Sequence, residues 1–203
     1  IKIFKYSFHS YMYFLGIDIG TSSVKVSIVD ADRQKTLVSA NFPEKEAEIL
    51  AIQPGWAEQS PEQWWQYTLS AYKKAITKAA IDTRQISAIG IAYQMDGLVI
   101  VDKNQQVLRP STIWCDSRSV EIGENAFNQI GRAQSLSHHL NSPGNFTASK
   151  LAWVKQNEPE IFEKIDKVML PGDYISMKLT GEITTSISAL SEGVFWDFKN
   201  NQL

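Results

Sequence analysis

The segment from Phe14 to Lys25 constrains the fold most strongly, because an apolar run stops there at one glycine and three consecutive hydroxyl residues. Alternate positions on both sides of this break are apolar, which predicts two adjacent buried strands joined by a tight turn. The residues predicted to be buried are Leu15, Ile17, Ile19, Val24, Val26 and Ile28. Successive backbone N–H groups in such a turn can point at an anion, so the segment predicts a phosphate-binding hairpin.

The turn supplies groups that suit a phosphate. Gly20 permits backbone angles that other residues resist, and Thr21, Ser22 and Ser23 offer hydroxyls. A carboxylate inside an apolar strand is costly unless it is paired or near solvent, which places Asp18 at the mouth of the strand beside a bound cation. Magnesium on a nucleotide suits one carboxylate with waters completing its shell. The alternative is that Asp18 caps the turn and that nothing binds there.

Composition narrows the class of protein. The 203 residues are 43% hydrophobic and 21% charged, as in an ordinary globular domain. The net charge of -2 and the scattered basic residues argue against a nucleic-acid partner. The single cysteine, Cys115, fits a reducing compartment. The apolar stretch from Tyr11 to Ile17 is too short for a membrane span and runs into Asp18 without a small-residue cleavage site, so we expect a cytoplasmic protein with no membrane partner. We expect Met12 to be the natural start and residues 1–12 to form an N-terminal extension.

The rest of the chain alternates between strand and helix patterns. After a third strand at 36–42, a capped helix at 61–80 is expected to pack through Trp65, Leu69, Tyr72, Ile76 and Ala79. The remaining predictions are a buried strand at 86–92, a hairpin at 98–108, a helix at 119–131, a helix after Thr147, a helix at 160–165, a strand at 168–170 and a short helix to 179. This order predicts an α/β domain that opens with a three-strand meander.

Two further polar sites follow apolar segments, where open α/β sheets bind ligands. The first contains Gln94, Met95 and Asp96, directly after the predicted strand at 86–92. The second contains Asp116 and Arg118, at the end of another apolar segment. Each site alone fits a solvated loop acid or a local ion pair better than a ligand site. Two such sites together favour a pocket for a polar ligand.

The stretch from Asp18 to Lys25 strongly resembles the first phosphate motif of the FGGY carbohydrate kinases. This family belongs to the superfamily of sugar kinases, actin and heat-shock chaperones. Further stretches resemble the family in the family's own order, among them Pro54-Gly-Trp-Ala-Glu-Gln, Gln94-Met-x-Gly97, Trp114-x-Asp-x-Arg118, Lys150-Leu-x-Trp153 and Leu179-Thr-Gly-Glu182. The resemblance covers residues 13–203 and implies one kinase N-terminal domain with an actin-like ATPase, or ribonuclease H-like, fold, in which helices flank a mixed sheet.

The resemblance also implies an activity, which is transfer of a phosphoryl group from ATP, with Mg²⁺, to a sugar hydroxyl. Within the family the chain is most similar to members that phosphorylate the ketopentose xylulose. By resemblance, Asp18 positions the magnesium-nucleotide, and the phosphate hairpin consists of Gly20, Thr21, Ser22, Ser23 and Lys25. Met95 and Asp96 occupy positions that contact sugar, next to Gln94, and Asp116 with Arg118 lies in a motif near that pocket.

Two departures from the family qualify these expectations. Xylulose-phosphorylating members commonly carry histidine where this chain has Asp96, and an ionised carboxylate only accepts hydrogen bonds, so the identity of the sugar stays open. Family members are also more than twice this length, and their second domain supplies the general base and most of the adenine pocket. We therefore expect a second domain as the partner of this chain, with a homodimer left open. The alternative function is a non-catalytic sugar- or nucleotide-binding module of the same fold.

Overall fold

A computed structural model describes residues 12–203 of the chain. The predicted extension at 1–12 therefore lies outside the described residues, apart from Met12. The chain opens with three strands, β1 (Tyr13–Ile19), β2 (Val24–Asp30) and β3 (Lys35–Phe42). Their order and direction confirm the predicted meander, because β1 pairs antiparallel with β2 and β2 pairs antiparallel with β3.

A mixed four-stranded sheet forms the base of the domain. The long helix α1 (Pro61–Ala79) follows β4 (Glu58–Gln59) and returns the chain to β5 (Ile86–Tyr93) through a single 3₁₀ turn at Thr83–Gln85. Since β5 pairs parallel with β1, the strand order is β3-β2-β1-β5. The β1–β2 turn and the carboxyl end of β5 therefore lie at the same end of the sheet, as expected for strands that run in the same direction.

The second half of the chain packs further strands and helices around this sheet. Its strands are β6 (Val99–Val101), β7 (Ser111–Thr112) and β8 (Lys167–Met169), and β6 pairs with β8 while β7 pairs with β4. Its helices are α2 (Val120–Ile130), α3 (Arg132–His139), α4 (Thr147–Asn157), α5 (Pro159–Phe162), α6 (Pro171–Thr180) and α7 (Ile187–Glu192). The sequence did not predict α3 or α7. None of the helices within residues 12–203 is long and apolar enough to cross a membrane.

Helix α1 starts where the sequence predicts, because the Ser60 side chain accepts a hydrogen bond from the Gln63 N–H and Pro61 follows the cap. The predicted packing face is displaced by one position. The buried side chains of α1 are Pro61, Trp64, Thr68, Ala71 and Ala75. The small alanines let the helix lie close to the sheet, whereas the bulkier predicted residues lie along the edge of this contact and are only partly buried.

The two faces of the sheet differ in burial. Every second residue of β1 and β2 is buried in the main core on the side of α1, as predicted. Strand β5 forms where expected, but the prediction that it is buried is wrong, since the Ile89 side chain is 47% exposed. β5 lies at the edge of the sheet as described, so it lacks a neighbouring strand on one side.

Candidate active site

The turn between β1 and β2 is compact. Its Gly20 N–H donates to the Ser23 carbonyl oxygen at 3.1 Å, so this donor closes the turn and is not free to face an anion. Gly20 does not have a positive φ; a Cβ atom there would lie 3.0 Å from the Ser23 oxygen. The expectation that Gly20 supplies unusual backbone angles is therefore wrong, and the turn requires glycine because the backbone approaches itself closely.

Asp18 and Lys25 face each other across the β1–β2 pair. Their Oδ2 and Nζ atoms are 3.8 Å apart and both side chains are more than half exposed, so the pair contributes at most about 1 kcal/mol. The carboxylate stands on the open face of the sheet, near solvent as its ionised form requires. Beside it, a groove of about 480 Å³ is floored by the small residues Gly16, Gly90 and Ala92.

A hydrogen-bonded network ties the hairpin turn to the end of β5. The Thr21 hydroxyl donates to Gln94 Oε1 at 3.2 Å, and Gln94 Nε2 donates to Gln59 Oε1 at 3.0 Å. Gln59 Nε2 returns to the Thr21 carbonyl oxygen at 2.7 Å. The indole N–H of Trp64 adds a bond to Gln59 Oε1, and that of Trp114 adds one to the Thr21 hydroxyl. The ring is mostly buried, which makes each of these bonds costly to leave unmade.

The sequence analysis placed Gln94 and Thr21 in separate motifs and missed Gln59 as a functional residue. Gln59 lies between the loop and helix α1 and was interpreted only as part of a family-like stretch. No spacing rule marks an amide that joins two distant segments. The one available signal was its position directly before the Ser60 cap, which fixes its direction relative to α1.

Asp96 is held by its backbone. Its φ of +60° lies in the left-handed region, which aspartate tolerates better than most residues. Its N–H donates to Glu192 Oε1 at 2.9 Å and its carbonyl oxygen accepts from Lys150 Nζ at 2.7 Å. Two charged side chains therefore fix an uncommon conformation. The neighbouring Met95 side chain is 59% exposed and faces outward.

The Asp96 carboxylate has one oxygen that is buried without a hydrogen bond from residues 12–203, which is unusual for a group that can carry a charge. Its Oδ1 atom is buried and accepts no hydrogen bond from the described part of the chain. Burial raises the pKa of this carboxyl, and the nearby Lys150 ammonium opposes that rise. A buried acceptor without a donor is costly, and Oδ1 is closed to solvent in this conformation of the side chain.

Lys150 lies on α4 and is only 1% exposed. Burial lowers the pKa of its ammonium to about 8, against the opposing charges of Asp96 and Asp116. A lysine is rarely this buried unless it is paired. Its ammonium compensates the carboxylates around the end of β5 and anchors the backbone of Asp96.

Asp116 and Arg118 do not stand in an open cleft. The Arg118 guanidinium binds the Asp116 carboxylate with two nitrogens, with Nη2 to Oδ2 at 2.7 Å, and both side chains are almost completely buried. Asp116 Oδ2 also accepts from the Ala57 N–H at 2.7 Å. The guanidinium stacks 3.7 Å from the centre of the Trp56 ring. The acceptors of Asp116 are thus used within the protein, as in the local ion pair that the sequence left open.

This ion pair extends into a larger buried network. Arg118 also lies 2.8 Å from Glu58, and Arg109 bonds to the same Glu58 carboxylate and lies 3.3 Å from Glu158. Glu58 is the neighbour of Gln59 on β4. The network therefore fixes the short strand that carries the amide between Thr21 and Gln94. Among residues 12–203, no cluster of three or more side chains could hold a metal ion alone.

The structure brings the predicted site residues into four groups near the carboxyl ends of β1 and β5. Asp18 and Lys25 lie on the open face, Thr21 and Gln94 lie in the hydrogen-bonded ring, and Asp96 lies beyond β5 with Met95. Asp116 and Arg118 lie behind the ring. A mixed sheet that opens with a three-strand meander and continues into the parallel strand β5 is typical of an actin-like, ribonuclease H-like domain.

Comparison with known proteins agrees with this class. The sequence pattern of the FGGY family of carbohydrate kinases, N-terminal domain, matches residues 13–202. The chain therefore belongs to the FGGY family of carbohydrate kinases. It is 38% identical to the xylulose kinase of Escherichia coli over 183 residues, or 90% of this chain and 36% of that protein. It is 34% identical to the xylulose kinase of Bacillus subtilis, over 87% of this chain and 34% of that protein.

Solved structures show the same fold. A Brucella ovis protein described as a xyloylose kinase superimposes with a TM-score of 0.85 at 32% identity, covering 94% of this chain and 39% of that one. The xylulose kinase of Rhodospirillum rubrum gives a TM-score of 0.82 at 27% identity, covering 93% and 38%. These matches confirm the predicted actin-like fold. The chain spans little more than a third of the length of the relatives that it matches.

Proposed function

We propose that this chain is the sugar-binding N-terminal part of a cytoplasmic kinase that transfers a phosphoryl group from ATP to a ketopentose such as xylulose. The observation that carries this proposal is the hydrogen-bonded ring of Thr21, Gln94 and Gln59. It joins the phosphate hairpin rigidly to the residues that precede Asp96. Phosphoryl transfer depends mainly on positioning of the reactants and on charge stabilisation. This ring would fix the hairpin that faces the phosphates relative to the sugar site at Asp96.

On the sugar side, the supporting feature is the pair of Met95 and Asp96. The exposed Met95 offers an apolar surface, and the buried Asp96 Oδ1 has no donor among residues 12–203. A sugar hydroxyl would supply that donor. A site built to bind a hydroxyl discriminates strongly against analogues that lack it, so Asp96 is the residue that we expect to select the sugar.

On the nucleotide side, the residues fit ATP and Mg²⁺. Asp18 is a half-exposed carboxylate with only a long ion pair to Lys25, and Mg²⁺ is typically bound by one or two carboxylates, waters and substrate phosphates. The metal would neutralise phosphate charge in this position. Lys25 would hold the phosphates as a point charge, and the groove floored by small residues leaves space for them.

We assign Asp116 and Arg118 a positioning role rather than direct contact with the sugar. Their charged atoms face each other and Glu58, and the segment between β7 and this pair carries Trp114, whose indole N–H reaches the Thr21 hydroxyl. Removing one partner of a buried pair typically costs about 3–5 kcal/mol. The pair would therefore affect catalysis through the shape of the site.

The general base of this proposal lies outside the chain, in the second domain that the family likeness implies. Sugar binding by the present chain is the direct test. Isothermal titration with D-xylulose should show saturable binding that is at least tenfold weaker in Asp96→Asn, since a hydrogen bond to a charged group is lost. The matched control is Asp32→Asn, at an exposed turn position between β2 and β3. Equal binding by both variants, with both folded, would contradict the role of Asp96.

A longer chain that includes the second domain tests the reaction itself. Phosphorylation of xylulose by that chain, with ATP and Mg²⁺, is the expected result. Tight sugar binding without turnover would instead favour a non-catalytic sugar-binding module.

A further inference from the structure

Glu192 lies at the last position of α7 and reaches the proposed sugar site from a distant part of the sequence. Its Oε1 atom accepts the Asp96 N–H at 2.9 Å. It is half-buried, and burial raises its pKa together with the charge of Asp96. The Glu192 carboxylate thus lies beside Asp96, where burial and the charge of Asp96 both disfavour its ionised form.

The groups facing this position are mostly acidic. The negative charges of Asp96 and Asp173 both act on Glu192 and raise its pKa, and Lys150 is the cation that acts on Asp96. The negative charge of Asp116 also acts on the Lys150 ammonium. Three carboxylates against one shared ammonium leave the subsite with a net negative character.

We propose that Glu192, together with Asp96, makes this subsite selective for a neutral polyhydroxyl substrate and excludes sugars that carry a carboxylate. The inference rests on the proposed function, and it adds a specificity-determining residue to it. Glu192 acts in two ways: it holds the Asp96 backbone in its left-handed conformation, and it contributes a second negative charge next to the acceptor that the substrate meets.

The chemistry of the acceptor supports this selectivity. Within residues 12–203 the Asp96 Oδ1 atom has no donor, and a sugar hydroxyl would supply one once the carboxylate rotates toward the ligand. An ionised carboxylate on the substrate offers acceptors only. At an effective dielectric constant of about 20, a like charge about 6 Å away opposes binding by more than a tenfold change in affinity. A neutral ketose and the aldonate of the same chain length should therefore bind very differently.

The test compares D-xylulose with D-xylonate by isothermal titration, using the 203-residue chain and its Glu192→Gln variant. Glutamine has the same shape and retains an oxygen that can accept the Asp96 N–H, so it removes mainly the charge. We expect wild-type protein to prefer xylulose by about 100-fold or more, and the variant to reduce that preference at least tenfold through tighter xylonate binding. The control is Glu124→Gln, at an exposed position of α2, which should leave the preference unchanged.

Salt dependence gives a second readout that needs no variant. Raising the ionic strength from about 0.01 M to about 1 M shortens the screening length from about 30 Å to about 3 Å. Xylonate binding to wild-type protein should tighten over this range while xylulose binding stays nearly constant. A purely structural role of Glu192 predicts neither effect.

The outcomes separate the inference from the proposed function. If wild-type protein binds xylulose but the preference is the same in Glu192→Gln, or xylonate binding is insensitive to salt, the charge role of Glu192 is wrong and the kinase proposal stands. If the folded wild-type chain binds neither compound, both are overturned. A Glu192→Asp variant, which retains the charge, should retain the preference.

Discussion

The burial of Lys150 predicts how the free energy of unfolding depends on pH. Its pKa is lowered from an ordinary value of 10.5 to about 8 by burial. Each pKa unit corresponds to about 1.4 kcal/mol of differential free energy between the protonation states, so the folded protein disfavours the ammonium by about 3 kcal/mol. Between pH 8 and 10.5 the unfolded chain keeps the proton that the folded chain releases. The free energy of unfolding must therefore rise with pH across this window.

The variant that isolates this effect is Lys150→Met, which has a similar shape and no titrating group. At pH 7 it loses the hydrogen bond to the Asp96 carbonyl oxygen but also removes the buried charge, so we expect a small net change. Urea unfolding followed by tryptophan fluorescence should show wild-type stability gaining about 3 kcal/mol over the variant between pH 8 and 10.5. The control Lys164→Met, at an exposed site, should follow wild type. A flat difference between wild type and Lys150→Met would refute a depressed pKa at this position.

Two further predictions concern the framework of the site. Gln59→Ala removes the amide that joins the hairpin to the end of β5. Thermal unfolding should show that its free energy of unfolding falls by about 2–4 kcal/mol. The control Gln129→Ala, on the exposed side of α2, should change this free energy by no more than about 0.5 kcal/mol. Gly172→Ala places a Cβ atom 2.1 Å from the Tyr93 ring and should cost about 1–3 kcal/mol. Gly90→Ala, which meets nothing within 4 Å, should be nearly neutral; equal losses in the two glycine variants would contradict the packing of Tyr93.

The sheet could be predicted from sequence where the determinants are local. In β1 and β2 the alternation of apolar residues specifies both the strands and their buried face. The Ser60 cap and Pro61 likewise specify the start of α1. For β5 the same reasoning failed, because an apolar run predicts burial only if other elements cover it. Whether they do depends on the tertiary arrangement, which no local pattern contains.

The candidate site was predictable as a set of motifs but not as a geometry. Motif spacing identified Thr21 and Gln94, yet the residue that joins them, Gln59, carries no chemical signature of its own. Glu192 was missed for a similar reason, since it follows Asp96 by 96 residues and no periodic pattern relates the two. Long-range partners of this kind are set by packing, so a sequence can name the ligand-like residues and still omit those that orient them.

Asp116 shows how burial decides between two roles for the same residue type. A carboxylate after an apolar segment indicates a ligand site only if its oxygens remain available, and the arginine two positions later was equally consistent with a local ion pair. In the folded chain both oxygens of Asp116 are occupied by Arg118 and by the Ala57 N–H. Asp96 differs, because one of its carboxylate oxygens is buried and has no hydrogen-bond donor in the described chain. Asp116 therefore fixes the loop behind the ring of Thr21, Gln94 and Gln59, whereas Asp96 keeps an oxygen without a donor in the described chain, the group that we propose for sugar binding.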